Sequence, residues 1–556
     1  MPRFAHTLAE VNPPADGRGW VYVPYDQLTD DFGPLADREP GDTGIVLVES
    51  TWKGHRRPYH RQKLALILAN QRHFAVEQAR RGVAVRHLVT DRPYGDALRP
   101  LAEELGGLTA MEPAERELRA DLEPLVDDGL LEVVDHAGWL TTREQFDQST
   151  GGPPWRMDAF YRRVRRDTGY LMDEGGPAGG RYSHDADNRE PWDGTPKAPQ
   201  PPVFEPDELT REVGDLIESR FALHPGRLDL ESLPATRDDA ERLWRWALDE
   251  CMESFGPYED AMSSRSRGLF HTRIGPLLNI SRLTPRRVVE DALATGAPLS
   301  SREGFLRQIA GWREFVRHVH RATDGFRELD RRRIAHAPGD GGWSRWNGAE
   351  WPSEPGEPGG LDGGATPSHL DAGRPLPPAW WGATSGLACL DTVISDVWRE
   401  AYSHHITRLM VLANLGTLLG VEPRQLADWF WVAYADAYDW VVEPNVLAMG
   451  SFATGDLMTT KPYVSGANYI DKMSDYCGGC RFDPKRSCPI TPVYWAFLAR
   501  NEERLDGNRR MSLVMGSLRK RGAEKRARDR LVYERVLERL GAGEEIDVGD
   551  LPPSST

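Results

Sequence analysis

Cysteine is scarce: five residues in 556. That rules out a disulfide-stapled scaffold, and in a reducing compartment the clustered thiols point to metal or redox chemistry instead. Long apolar runs are absent, which leaves no candidate membrane span. Residues 1–17 carry scattered charge and prolines and no apolar stretch, so no secretory signal is expected and the chain is expected in the cytoplasm. No Gly-x-Gly-x-x-Gly follows the first strand pattern, which excludes a standard dinucleotide fingerprint, and no internal repeat is detectable. Lysine is sparse beside arginine, so phosphate contacts would be forked rather than point-like. A net charge of −16 excludes whole-surface attraction to nucleic acid but permits a local basic groove.

What is present is a large apolar reserve, 39% of residues, and eighteen tryptophans. A chain this long requires at least two domains. Residues 1–140 alternate strand-like runs (Trp20–Pro24, Gly44–Glu49, Val83–Val89, Leu131–Val134) with helical patterns such as Tyr59–Gly82. That rhythm predicts an α/β domain with a doubly wound parallel sheet. Residues 141–205 are rich in Gly, Pro and Asp and read as a connector. Residues 206–540 read as all-α, with helical patterns at Glu208–Ser219, Thr236–Ser254, Pro285–Thr295, Arg302–Arg321, Thr392–Leu419 and Arg424–Val432. A Gly/Pro/Ser-rich stretch at 337–375 reads as a flexible insertion, and 541–556 as a tail.

Cys477-Gly-Gly-Cys480, followed by Cys488-Pro489, is the one dense thiol constellation. A Cys-x-x-Cys pair places two thiolates on one metal, and the glycines would let the backbone wrap closely. Spacing alone admits an iron–sulfur cluster or zinc, with scattered structural thiols a third reading. Cys251 lies on a helical pattern and reads as a small buried side chain.

The runs Phe255–Met262, Leu269–Ile280 and Phe305–Phe315 resemble the segments that open the flavin site of photolyases. Ser403-His404-His405-Ile-Thr-Arg408-Leu-Met410, Tyr434-Ala-Asp436-Ala-Tyr438 and Lys461-Pro-Tyr463 through Asn468–Cys477 are similar to the iron–sulfur bacterial cryptochromes and photolyases. Asp26-Gln27-Leu28, Phe160-Tyr161-Arg162, Gly179-Gly180 and Asp187-Asn188-Arg189 extend the likeness over nearly the whole chain. The resemblance implies the photolyase/cryptochrome architecture, an FAD in the helical domain, and a [4Fe–4S] cluster on Cys389, Cys477, Cys480 and Cys488. It implies flavin contacts at Ser263, Ser264, Thr272, Arg273, Gln308, Glu314 and Asp436. His405, with His404 beside it, becomes the proton donor for repair of (6-4) lesions. An electron relay is implied at Trp429 and Trp381, with Tyr438, Trp431 or Trp440 standing in for a missing hydroxyl-bearing aromatic at Phe430. UV-damaged DNA is the implied partner of a monomeric, nucleoid-associated protein, through Arg408, Lys461, Lys472 and the Arg509–Arg519 stretch.

Three departures stand out. Val442 occupies the position expected to hold an acidic residue opposite flavin N5, with Glu443 one residue later. The run Lys53-Gly-His55-Arg56-Arg57 is more basic than the lumazine-antenna pattern, although Asp26 and Glu49 remain, which leaves an antenna chromophore open. The spacing before Cys488 is short for the family. Against repair stand two other readings: a light-sensing cryptochrome without repair activity, and a cluster-stabilised nucleic-acid-binding protein.

Overall fold

The computed structural model describes residues 3–329 and 364–552. Five parallel strands, β1 (Gly19–Tyr22), β2 (Thr43–Ser50), β3 (Ala84–Thr90), β4 (Leu108–Met111) and β5 (Leu131–Val134), form one sheet in the order β3-β2-β1-β4-β5. Val21 pairs with Ile45 on one side and Thr109 on the other. The strand β2 is buried through its first seven residues, as expected where helices cover both faces of a parallel sheet. A Cβ at Gly44 would lie 2.6 Å from the Trp20 ring, so glycine lets β2 pass that indole.

The sequence reading did not find β4. Leu108-Thr-Ala-Met111 is four residues long and follows Gly106-Gly107, and the pairing that makes it a strand is supplied by β1 and β5. The strand order reverses between β1 and β4, which opens a crevice at their carboxyl ends. The loops leaving those strands close on each other there. The Gln27 amide donates to Met111 O and Glu112 O, and the Asp26 carboxylate accepts from Ala114 N.

The rest of the described chain is mainly helical, with one small antiparallel pair, Met172–Asp173 against Gly176–Pro177. Residues 141–205, read as a connector, hold the helices Arg143–Thr150 and Met157–Thr168, the first closed by a Thr142/Gln145 capping box. Residues 337–363 of the stretch read as an insertion lie outside the described residues. The remainder, 364–375, packs with Ala365, Thr366, Ser368 and Leu370 buried. Sheet and helical regions share one contiguous apolar core. Polar ties cross between them: Leu28 N donates to Ile280 O, Glu117 N to Asp439, and Arg282 pairs with Glu77.

The single helix read over Thr392–Leu419 is broken. Ala388–Glu400 ends at Ala401, whose φ of 52° is left-handed, and the chain runs extended through His404 before turning helical again at His405. An alanine in that conformation costs roughly 1 kcal/mol, held in place by Ala435 N donating to Ala401 O.

Deep in the helical region Arg424 donates to Asp428 and Glu443, and Glu443 also bonds His320. Despite its burial, the neighbouring Arg424 and His320 hold the Glu443 carboxyl far below its ordinary range. Glu443→Gln removes one of the two carboxylates that hold the buried Arg424 guanidinium and is expected to cost about 2 kcal/mol, read as a lowered urea midpoint. Because the folded pKa lies below the unfolded one, this contribution is complete above the ordinary Glu range and disappears as pH falls through the folded value. The gap between wild type and variant should therefore narrow in acid.

Candidate functional site

Three of the sequence motifs converge in the helical region. Arg408 grips both oxygens of Asp436, at 3.0 and 2.9 Å, and its guanidinium lies 4.0 Å from the Tyr434 ring centroid. The Asn279 amide donates to Asp436 O. Gly275 approaches so closely that a Cβ there would sit 3.1 Å from the Asp436 carboxylate. The Ser403 and Tyr434 hydroxyls are 2.8 Å apart. Residues 269–280, 403–408 and 434–438 thus form one wall.

Three histidines meet on that wall, their ligand-capable nitrogens within 4.8 Å of one another. The His271 and His404 rings stack at 4.5 Å and both are buried, and His405 meets His271 edge-on at 5.4 Å. Both of the adjacent histidines pack on His271, because His404 is an extended cap residue and not part of the helix. Burial, reinforced by the neighbouring imidazoles, pushes His271 and His404 well below the ordinary histidine range, so both are neutral at pH 7. His271 Nε2 and His404 Nδ1 are buried without a hydrogen-bond partner. The His405 side chain keeps 40% exposure, 3.7 Å from Asp260.

The residues named as flavin contacts are mostly engaged with protein acids. The Ser263 hydroxyl and the Ser264 amide both donate to Asp475, at 2.7 and 2.6 Å, and Arg265 joins them at 3.1 Å. Arg273, itself left-handed at φ 58°, donates to Glu400 and lies over Tyr402, with Thr272 buried beside it. Gln308 donates to Glu259. Glu314 is fully buried and accepts from Leu140 N, Thr141 N and the Thr141 hydroxyl. Arg408, expected in a DNA groove, is instead the counterion of Asp436. Arg519 pairs with Asp506, whereas Lys461, Lys472, Arg509 and Arg510 are exposed.

The four cysteines named as ligands, Cys389, Cys477, Cys480 and Cys488, line one small cavity, with Leu387, Ile470, Phe482 and Ile490 among its walls. Cys480 N closes a tight turn onto Cys477 O, and Cys488 N donates to Asp483 O. Burial, with the neighbouring thiols adding to it, raises Cys389 well above the ordinary thiol range. Burial likewise takes Cys477 to about 11 and Cys488 to about 12. Four sulfurs in an apolar shell with no nitrogen donor fit a soft, thiolate-bound metal centre. Gly478 and Gly479 have open space where a Cβ would lie, so no protein crowding demands glycine there. Cys251 is buried elsewhere, beside His271 O.

The aromatic candidates separate. Trp429 is fully buried, with Trp398 at 5.9 Å, and Trp381 stacks on Trp398 at 5.6 Å. Trp398 was missed: it sits inside a helix whose apolar period accounts for it without further role. Tyr438 is turned away, stacked on Tyr25 and facing the Lys63 ammonium. Trp440 packs on Trp139 and Trp431 under Arg57.

At the crevice between β1 and β4, Tyr25, Lys53, Lys63, Tyr94, Glu115 and Tyr438 line a second cavity. The basic run answers acids there: Lys53 pairs with Glu115 and Arg57 with Glu117. Glu49 is buried against Arg72 and His87, and despite burial those partners hold it near 2. Burial, then Glu115, raises Asp26 to about 7.

Over 516 residues, 88% of this chain and 94% of the relative, the sequence is 32% identical to a (6-4) photolyase of Agrobacterium fabrum. The chain belongs to the photolyase-related family. The profile of the family described as deoxyribodipyrimidine photo-lyase-related protein matches residues 21–232. A stretch of 104 residues is 33% identical to an uncharacterised protein of Acanthamoeba polyphaga mimivirus. In fold, a bacterial class III photolyase from Agrobacterium tumefaciens superposes over 95% of this chain and 99% of its own, with a TM-score of 0.52 at 16% identity. The expected architecture, an α/β sheet domain followed by a large helical region, is that of the photolyase/cryptochrome fold. No helix among the described residues is long and apolar enough to cross a membrane.

Asp475 is the common acceptor that ties the 263–265 turn to the segment carrying Cys477. Asp475→Ala removes charge-assisted hydrogen bonds and is expected to cost about 2 kcal/mol or more. Denaturant unfolding followed by tryptophan fluorescence measures it, and an unchanged midpoint would show that the clamp is not stabilising.

Proposed function

We propose that this member of the photolyase-related family repairs (6-4) lesions in UV-damaged DNA by light-driven electron transfer, with FAD in the helical region and a [4Fe–4S] cluster on Cys389, Cys477, Cys480 and Cys488. The observation that carries the reading is the histidine triad: two neutral, buried imidazoles support a third that reaches solvent beside a carboxylate. Such a group is suited to hand a proton to a substrate arriving from outside. The kinship with a named (6-4) photolyase supports the same chemistry.

Bound FAD would supply the photoexcited one-electron donor. The chain's own residues would do the rest. The orphaned nitrogens of His271 and His404 are free to bond a ligand on the inner side of the wall. Arg408 and Asp436 hold the wall's shape, and His405 delivers the proton, with Asp260 orienting its ring. Ser263, Ser264 and Arg273 would meet the pyrophosphate only by sharing or exchanging Asp475 and Glu400, so Thr272 and nearby backbone amides become the first donors. Exposed Lys461, Lys472, Arg509 and Arg510 would contact DNA phosphates. The cavity at the β1–β4 crevice, with the Tyr438 hydroxyl unpartnered on its wall, would take a lumazine-type antenna if one is bound.

Anaerobically purified protein should contain about four iron and four sulfide per FAD, the composition of that cluster. Zinc without acid-labile sulfide would overturn the assignment. Cys480→Ala should lose the iron, and Cys251→Ala should keep it.

His405→Ala should abolish repair of (6-4) duplexes under light while leaving flavin content and photoreduction unchanged. His404→Ala should instead lower stability, because it opens a cavity against His271, by roughly 1–3 kcal/mol. If wild-type protein photoreduces yet repairs no lesion, the light-sensing reading favoured by Val442 and Phe430 prevails.

A further inference from the structure

Phe430 cannot carry an electron hole at the potentials of tryptophan and tyrosine, which leaves a gap where a relay residue is expected. We propose that Trp398 fills it, as the middle member of a relay Trp429–Trp398–Trp381 running from the flavin site to solvent. The inference rests on the reading that FAD lies beside Trp429.

The path is continuous. Trp429 is fully buried; its ring centroid lies 5.9 Å from that of Trp398, which lies 5.6 Å from that of Trp381. Trp398 and Trp381 are both partly exposed, so the chain of indoles runs from the core to water. Among the described residues the other aromatic contacts of Trp429 lead nowhere: Phe430 at 5.1 Å and Tyr434 at 6.0 Å stack on one another, and Tyr434 is fully buried.

One backbone carbonyl organises the first step. Trp380 O accepts from the indole N–H of Trp429 at 2.9 Å and from that of Trp398 at 3.0 Å. A shared acceptor fixes both rings, and its partial negative charge favours a cation radical on either, in a buried setting where electrostatics are strong. Trp398 also stacks on His60 at 5.8 Å. That imidazole is buried and bonded to Trp398 O, and burial lowers it to about 4, so no charge opposes a hole on the indole.

The electron count closes with no bond made or broken. With a photoexcited flavin bound as the acceptor, Trp429 would supply one electron and become a cation radical. Trp398 returns one electron to Trp429, and Trp381 returns one to Trp398. A soluble thiol, or another one-electron donor of the medium, reduces Trp381. The indole protons stay in place, because a carbonyl oxygen accepts a hydrogen bond but not the proton.

The test compares Trp429→Phe, Trp398→Phe and Trp381→Phe under blue light with a thiol reductant, reading flavin photoreduction and, by transient absorption, the lifetime of the tryptophan radical. In Trp398→Phe, photoreduction should fall by about tenfold or more, equivalent to ~1.4 kcal/mol. Its radical should be confined to Trp429 and recombine early. Flavin content and reduction by dithionite should match wild type, which separates a relay defect from a folding defect. Phe430→Tyr in the Trp398→Phe background should restore part of the rate. If Trp429→Phe blocks photoreduction but Trp398→Phe proceeds at the wild-type rate, the relay assignment is wrong and the flavin reading stands. If wild-type protein binds no flavin, both fall.

Discussion

The half-buried contact between Arg408 and Asp436 holds the candidate site together. Neither residue is remarkable alone: one sits on a short helix after two histidines, the other between two alanines. Joined at two oxygens, they fasten the 403–408 segment to the 434–438 segment, and Asn279 and Gly275 bring the 269–280 segment onto the same carboxylate. Even a half-buried ion pair adds little net stability over apolar packing, because desolvation offsets its Coulomb gain, but removing either partner leaves the other's charge poorly compensated. Its role here is geometric. The pair fixes which faces of three separate segments meet, and so sets the stack of His271 on His404 and leaves His405 at the rim.

Much of this was legible in the sequence because it depends on local pattern. Alternating apolar runs gave the sheet region, and the thiols that cluster at 477–488, with distant Cys389 supplied by resemblance, line one cavity. The failures have a common physical source, in that tertiary partners decided what local pattern could not. Leu108–Met111 is a strand because β1 and β5 flank it. Ala401 breaks a helix that its neighbours would continue, because Ala435 holds its carbonyl. Ser263 and Ser264, plausible anion donors in isolation, meet an anion supplied by the chain itself, Asp475. Arg408 reads as a groove residue until its carboxylate is found 28 residues away.

The same logic explains the basic run at 53–57, which looked foreign to an antenna pocket. Lys53 and Arg57 are counterions of Glu115 and Glu117 at the crevice where the sheet meets the helical region. Lys63, buried close by, donates to Trp431 O and Ala437 O, and burial lowers its ammonium to about 7. The crevice is thus lined by groups whose charges are answered within the protein. A ligand there would be recognised by an unpaired atom such as the Tyr438 hydroxyl rather than by net charge.

The two departures near the proposed flavin position are of different kinds. At Phe430 the lost function has a neighbour able to assume it, because Trp398 reaches Trp429 from another helix and shares its carbonyl. Phe430 is then free to stack on Tyr434, whose hydroxyl meets Ser403 and so supports the histidine wall. At Val442 no such exchange is available. Glu443, the adjacent acid, is held by Arg424 and His320, and turning it toward a ligand would take from both a partner in the buried core. The energetic asymmetry is plain: a relay needs only ring-to-ring proximity and tolerates relocation, whereas a hydrogen bond to one ligand atom needs a free acceptor at one place. If FAD binds as the resemblance implies, Val442 would offer it an apolar neighbour where an acid is expected, and among the described residues no side chain nearby is free to replace that acid.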